Sequence, residues 1–136
     1  IALLLLTQLG MADFTALNSI NELRWERRVL LVFCEPDERP DIAFLLQQNM
    51  AGLAERDMTW FLVAGDEILS NHEAPLTAGL TEQWRERFAP LNSPVDVLLI
   101  GKDGGLKQRS EQLDMGAVFG TVDGMSMRRR EMRERQ

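Results

Sequence analysis

A chain of 136 residues with a formal net charge of −6 has room for one domain with its own hydrophobic core, without disulfide or metal staples. The charge is uneven, because residues 124–136 hold five arginines against two glutamates and leave the rest of the chain acidic. An acidic body argues against nucleic acid as the main partner. For the basic tail we favour a solvated helix end with self-paired charges over contact with a membrane surface or an acidic partner.

The chain opens on an apolar run, residues 1–6, followed by the small residues Gly10 and Ala12 and then by polar Asp13. This order is typical of the hydrophobic region and cleavage site of a secretory signal peptide. We therefore expect residues 1–12 to be a signal-peptide remnant and residues 13–136 to form one exported domain, periplasmic or extracellular. The alternative is a first core strand or helix. Twelve residues are fewer than the roughly 20 that span a bilayer, so we expect no stable membrane span in the mature chain.

The next regular element is predicted at residues 29–33, which are apolar on both faces, as in a central strand covered on each side. Residues 35–40 follow with two prolines and four charges, a composition that predicts a surface loop. Asp41 is the predicted N-cap of the helix after the loop. The mainly apolar face of this helix comprises Ile42, Leu45, Leu46, Asn49, Met50 and Leu53.

Residues 58–64 predict a second buried strand, and residues 68–80 are predicted to be a loop because Asn, Pro and Gly interrupt them. The loop holds His72, the only histidine of the chain. No second histidine or cysteine stands at ligand spacing from it, so we expect a solvated side chain and no metal site. Thr81 is the predicted cap of a short helix, with Trp84 and Phe88 on its core face.

The last part of the chain predicts a strand at residues 94–101, a tight turn at 102–105 and a polar edge strand at 106–109. Asp114 is the predicted cap of a final helix, which is interrupted near Gly124 before the arginine-rich tail. The face of this helix comprises Met115, Val118, Phe119 and Val122. Strands that alternate with helices and then form a hairpin indicate an α/β fold.

Three strings of residues carry a resemblance to a known family. RWERRVLLVF at 24–33, LLIGKDGGLK at 98–107 and VDGMSMRRREM at 122–132 resemble the signatures of a peroxiredoxin-like family of unknown function, the P-DUDES domain. The resemblance covers about residues 21–132 and implies a thioredoxin-like three-layer fold, with a central mixed sheet covered by helices and a C-terminal hairpin and helix. Members occur in exported bacterial proteins and in animal extracellular-matrix proteins. One departure is Ser126, where the family usually has proline.

The resemblance directs attention to the only cysteine, Cys34. In thioredoxins the reactive thiols open the helix after this strand, and in peroxiredoxins the peroxidatic thiol lies in its first turn. Here residues 38–41 of that region contain no thiol. A single cysteine excludes an internal disulfide and a dithiol mechanism. At the end of an apolar strand, with Glu35 and Asp37 opposing a thiolate, Cys34 is expected to be buried and inert.

Two hypotheses remain. The first is a non-catalytic interaction module, without a cofactor, that binds an unknown envelope or extracellular protein through the 35–41 loop and neighbouring turns. Its candidate binding residues are Glu35, Glu38, Arg39, Asp41 and Lys102. The second is a one-Cys peroxidase-like enzyme or redox sensor with Cys34 as the catalytic thiol, which requires Arg39 or Lys102 beside the sulfur.

Overall fold

The computed structural model describes residues 15–89 and 91–136, in which five strands form one mixed sheet. The strands are β1 (Arg28–Cys34), β2 (Met58–Ala64), β3 (Glu67–Ser70), β4 (Val95–Ile100) and β5 (Leu106–Ser110). The helices are α1 (Arg39–Gln48), α2 (Met50–Glu55), α3 (Leu80–Phe88), α4 (Met115–Asp123) and α5 (Ser126–Glu134), with short 3₁₀ helices at Ile20–Leu23 and Pro36–Glu38. The predicted signal-peptide remnant, residues 1–12, lies outside the described residues.

Strand β1 is the centre of the sheet, whose order is β3-β2-β1-β4-β5. It pairs in parallel with β2 and antiparallel with β4, while β3 and β5 pair antiparallel at the two edges. Parallel neighbours need a crossover connection, and α1 and α2 supply it between β1 and β2. The result is a thioredoxin-like α/β fold, as the sequence predicted.

The sheet is covered on both faces because successive residues of its central strands point to opposite sides. On one face, Leu30 and Val32 of β1 pack in a cluster with residues of α1, α2 and α4. On the other face, Leu31 and Phe33 pack with the N-terminal 3₁₀ helix and with α3. The apolar runs of β1, β2 and β4 are therefore buried as predicted.

The start of the first helix differs from the prediction. The 3₁₀ helix Pro36–Glu38 runs directly into α1, which begins at Arg39, so Asp41 lies inside the first turn and is not the N-cap. Pro40 is accommodated in this turn, where its missing N–H has no intrahelical partner to lose. The short loop predicted for residues 35–40 is thus mostly helical.

The helix also breaks at Asn49, whose side-chain amide donates to the Leu45 carbonyl at 2.7 Å. Ile42, Leu46 and Leu53 face the core, as predicted. Leu45 and Met50 were predicted on the same face, but their side chains are 36% and 58% exposed.

Residues 68–80 were predicted as a loop, but Glu67–Ser70 form β3, an edge strand paired with β2. Two residues, Gly65 and Asp66, connect Ala64 to Glu67, and Gly65 supplies the positive φ of 59° that a tight turn needs. The prediction of Thr81 as a cap was also wrong, since α3 begins at Leu80 after Gly79.

The C-terminal elements follow the sequence more closely. The β4–β5 hairpin is present, with β5 at an edge of the sheet. The Asp114 carboxylate caps α4 by accepting from the Ala117 N–H at 3.1 Å. Within the described residues, no helix combines the length and apolarity needed to cross a membrane.

Candidate functional site

The carboxyl ends of the parallel strands β1 and β2 open into a crevice of about 280 Å³. Ligands of open α/β sheets commonly bind at such strand ends, because the loops there diverge from the sheet. Residues from β1, from the following turn and from α3 and β4 form its walls. They include Cys34, Glu35, Pro36, Arg85, Ser93 and Asp96.

Cys34 is the last residue of β1 and is half-buried at the crevice, with its inner side against the core under α1 and α4. The pKa of its thiol is raised to about 11, mainly by burial and also by Glu38 and Glu35, while Arg39 acts in the opposite direction. Burial and negative neighbours both disfavour a thiolate. The thiol is therefore almost entirely protonated at neutral pH, and a protonated thiol is a poor nucleophile.

Arg39 lowers the pKa of Cys34, but its guanidinium is already engaged in an ion pair. Its Nε lies 2.9 Å from a carboxylate oxygen of Glu67 on β3. An arginine that is paired with a carboxylate stabilises a neighbouring thiolate less than an unpaired arginine does.

The N-terminus of α1 also gives the thiol little help. The Glu38 N–H donates to the Glu35 carbonyl at 2.9 Å, and the Arg39 N–H donates to the Pro36 carbonyl. Pro40 has no N–H to offer. Fewer free donors remain here than at a helix start of the kind that lowers thiol pKa values.

Asp96 forms a buried anchor beneath the crevice and is only 1% exposed. Its carboxylate accepts from Nη2 of Arg109 at 2.7 Å, from Nε of the same residue at 3.1 Å and from the Leu91 N–H at 3.2 Å. Arg109 also donates to the Ala89 carbonyl at 3.0 Å. These bonds tie the segment between α3 and β4 to the sheet. The sequence signal was a single carboxylate within an otherwise apolar strand, and sequence reasoning missed it.

A second contact fixes the opposite wall of the crevice. Arg85 of α3 donates a hydrogen bond to the carbonyl of Gly65, in the turn between β2 and β3. Hydrogen bonds therefore fix the position of both walls of the crevice.

The structure brings together four of the residues that the sequence singled out: Cys34, Glu35, Glu38 and Arg39. Asp41 is exposed in the first turn of α1. Lys102 is elsewhere, because it follows β4 at the end of the sheet where β1 begins. The seven residues of β1 separate the two ends by about 20 Å.

At that opposite end, Lys102 belongs to a network of buried ion pairs. Its amino group donates to Asp57 at 2.9 Å and to Glu131 of α5 at 2.8 Å. Arg28, which is 1% exposed, donates both terminal amino groups to Glu131, at 3.2 and 3.0 Å, and one of them also to the Arg56 carbonyl at 2.8 Å. Burial raises the pKa of Glu131, but hydrogen bonds from Arg28 and Lys102 outweigh it and hold that pKa below its ordinary value.

The network continues through Arg128 of α5, which is also 1% exposed. Arg128 donates to Asp123 at 3.2 Å and to the Glu55 carboxylate at 3.1 Å. Arg56 donates to both oxygens of Asp123 at 3.0 Å, which lowers the pKa of that carboxyl. The prediction of a solvated, self-paired tail was therefore wrong for Arg128 and Glu131, which pair with the body of the domain. The other arginines of α5, Arg129, Arg130 and Arg133, are exposed.

The three strings that carry the family resemblance meet in this network. Arg28 comes from residues 24–33, Lys102 from residues 98–107 and Glu131 from residues 122–132. Their meeting place is the end of the sheet away from Cys34. In the part of the chain that the structure describes, no group of three or more His, Cys, Asp or Glu side chains is arranged to hold a metal ion.

The strand order and the crevice define a thioredoxin-like α/β domain with no thiol in the first turn of the helix after β1. The chain belongs to a family that is described as a domain of unknown function, DUF4174, whose model matches residues 19–131. This match spans all five strands and most of α5. No solved structure matches the chain.

Proposed function

We propose that this domain is a non-catalytic binding module, a thioredoxin-like scaffold whose crevice and 35–41 segment bind a partner protein. The observation that carries the proposal is Cys34 itself, whose thiol pKa of about 11 opposes ionisation. A dithiol mechanism is excluded by the single cysteine. The finer assignment to the peroxiredoxin-like P-DUDES family is part of the proposal and rests on the three strings and the strand order.

The surface beside the crevice has the properties of a protein-binding site. Glu35, Asp37 and Asp41 are exposed and acidic, while Arg39 is paired with Glu67. One turn into α1, Phe44 is 62% exposed. An exposed aromatic side chain beside a charged rim is a common anchor in protein interfaces. The partner segment is therefore expected to be basic, with an apolar residue that covers Phe44.

Photo-crosslinking in the native host tests this surface. A photoreactive amino acid at Asp37 or Phe44 is expected to give the same discrete adduct, because both positions face the proposed interface. The same probe at Glu26, exposed at the other end of the sheet, is the matched control. An adduct pattern that is identical at all three positions, or absent at the first two, would contradict the proposal, as would saturable turnover of peroxide or disulfides.

Export belongs to the same proposal and rests on the apolar run at residues 1–6 with small residues at 10 and 12. We expect protein recovered from the periplasm or medium to begin near Asp13. N-terminal sequencing that still finds Leu3 to Leu6 would overturn it.

A second candidate is a single-thiol redox enzyme or sensor that uses Cys34. The observation in its favour is position: Cys34 lines the crevice at the end of the central strand, and Arg39 lowers its pKa in part. Peroxide reduction should then disappear in Cys34→Ser while the fold stays intact by circular dichroism. Equal activity in parent and variant, or none in the parent, would exclude this candidate.

A further inference from the structure

The outer face of α5 carries positive charge that the domain does not use for its own packing. On the inner side of the helix, Arg128 and Glu131 pair with the body of the domain. Arg129, Arg130 and Arg133 are exposed, and they form no ion pair with the residues that the structure describes. Exposed guanidinium groups on one helix are suited to carboxylates, because each presents its N–H donors in a planar fork.

An exposed apolar side chain lies beside these arginines. Met127, in the first turn of α5, is 37% exposed and stands three positions before Arg130. Residues three and four positions apart are neighbours on a helix surface, so Met127, Arg130 and Arg133 follow one another along it. Glu134 is the exposed carboxylate of α5, and it leaves the outer face with a net charge of +2. The helix therefore presents an apolar position followed by two basic ones.

The complementary surface is present on the same chain, in the segment that follows β1. Asp37 and Asp41 are exposed, and Phe44 is 62% exposed. Their separations of four and three residues place them on one side of the 3₁₀ turn and of α1. Arg39, in the same segment, is paired with Glu67. This surface therefore presents two acidic positions followed by an apolar one.

The two surfaces match in length and in order when the helices run antiparallel. The stripe on α5 extends over six residue steps and the stripe at the start of α1 over seven, which is about 9 and 10 Å at the helical rise. The antiparallel pairing is Met127 with Phe44, Arg130 with Asp41 and Arg133 with Asp37. A methionine sulfur against an aromatic ring is a favourable contact, and so is an arginine against a carboxylate.

One chain does not make this contact with itself. Glu131 of α5 bonds to Arg28 at the start of β1, whereas the acidic segment follows the end of that strand. The seven residues of β1 separate the two ends by about 20 Å. A second copy offers the same pair of surfaces. A contact between two different surfaces of identical chains leaves one of each kind open at the ends, so further copies add to it.

We propose that this domain associates head to tail with itself, with the outer face of α5 of one copy docked on Asp37, Asp41 and Phe44 of the next. The proposal rests on the function proposed above, because it names a second copy as the partner of the 35–41 segment. The basic segment with an apolar residue that is expected to cover Phe44 is then α5. Exposed ion pairs contribute little each, so the association is weak and depends strongly on salt.

Sedimentation velocity tests the association, with the protein in the form recovered from the native host and with all variants prepared in the same way. At about 0.1 M salt the sedimentation coefficient should rise with protein concentration past the value of a dimer. At about 1 M salt, where the Debye length falls from about 10 to about 3 Å, the rise should be lost. Arg130→Glu or Asp41→Arg should each weaken the association about tenfold or more, because attraction becomes like-charge repulsion. Both positions are exposed, so circular dichroism should show an intact fold.

A pair of double variants separates the proposed contact from an effect of net charge. Arg130→Glu combined with Asp41→Arg restores opposite charges at the contact and the net charge of the parent, so the association should recover. Arg130→Glu combined with Glu86→Arg has the same net charge, but it reverses an exposed carboxylate on α3. This control should stay dissociated.

The inference is overturned if the sedimentation coefficient does not depend on concentration at about 0.1 M salt. It is also overturned if Arg130→Glu associates like the parent, or if both double variants recover equally. Photo-crosslinking from Asp37 then distinguishes this failure from failure of the proposed function. An adduct of two copies supports the inference. An adduct with a different protein overturns it and retains the binding module, whereas the absence of any adduct overturns the binding module as well.

Discussion

The reactivity of Cys34 offers the most direct check on the electrostatics of the crevice. Its thiol pKa is raised from 9.0 to about 11. At pH 8 the thiolate fraction is then about 0.1%, against about 9% for the ordinary thiol, a difference of roughly 100-fold. A thiolate of higher pKa is intrinsically more nucleophilic, by roughly 6- to 10-fold over this interval. The two effects together predict a reaction roughly tenfold slower than in the unfolded chain, before any steric protection.

The assay uses a neutral disulfide reagent, 4,4′-dithiodipyridine, which avoids repulsion from the acidic rim. Its reaction with folded protein is followed by absorbance across pH 6 to about 10, with urea-denatured protein as the reference. The rate of the folded protein should keep rising about tenfold per pH unit to the top of this range. A rate that levels off below about pH 8.5 would refute the reasoning and revive the redox candidate.

A charge-removing variant separates the contributions to this pKa. Burial is the largest cause and Glu38 the largest charge, so Glu38→Gln should move the pH–rate profile towards lower pH. Glu26→Gln makes the same change at the other end of the sheet and should leave the profile in place. If the two variants behave alike, burial alone sets the pKa of Cys34.

Three further predictions concern stability, each measured by urea unfolding. Glu131→Gln leaves Arg28 without its charged partner and should lower the free energy of unfolding by about 3 kcal/mol. The control is Glu134→Gln, exposed on the same helix, which should lower it by less than about 0.5 kcal/mol. Equal effects would contradict a structural role for the network. The folded-state pKa of Glu131 is lowered, so the stability that its carboxylate adds is present above the ordinary pKa of 4.5 and is lost as pH falls through the lower folded value. Glu131→Gln should therefore make the free energy of unfolding less sensitive to acid. An unchanged dependence of that free energy on pH would argue against this assignment. Gly52→Ala puts a Cβ 2.8 Å from the Phe119 ring and should lower the free energy of unfolding by about 1 kcal/mol, although alanine has the better helix propensity. A Cβ at Gly120 has nothing within 4 Å, so Gly120→Ala should raise the free energy of unfolding by about 0.5–1 kcal/mol. A gain at both sites would show that the Phe119 ring moves aside freely.

The elements predicted best from sequence are strands that are buried on both faces and turns or caps that depend on nearby residues. Strands β1, β2 and β4 are apolar on both faces and lie where the sequence predicts them. The β4–β5 hairpin and the Asp114 cap depend on turn and cap residues that act within a few positions.

The elements predicted wrongly depend on neighbours in space. Strand β3 has no strong strand pattern and forms because the edge of β2 offers it a ladder across a two-residue turn. The start of α1 depends on a 3₁₀ turn that carries the chain through Pro40. Thr81, a good capping residue, lies one position inside α3 because Gly79 takes the turn before it.

The candidate site divides in the same way. Cys34 and the 35–41 segment follow one another along the chain, so the sequence alone located them together. Lys102 was grouped with them because no local signal reveals which end of the sheet a turn reaches. The antiparallel pairing of β4 with β1 carries it to the far end.

By itself, the sequence determined the α/β class, the central strands and the absence of a thiol in the first turn of α1, because apolar runs, turn residues and residue identity are properties of short segments. Only the tertiary structure decided that Arg28, Lys102 and Arg128 are buried in ion pairs. A charged residue is expected at the surface unless its partner is known, and Glu131 lies 103 positions from Arg28 along the chain. The same long-range packing creates the crevice at Cys34, because its walls come from β1, α3 and β4, which are far apart in the sequence.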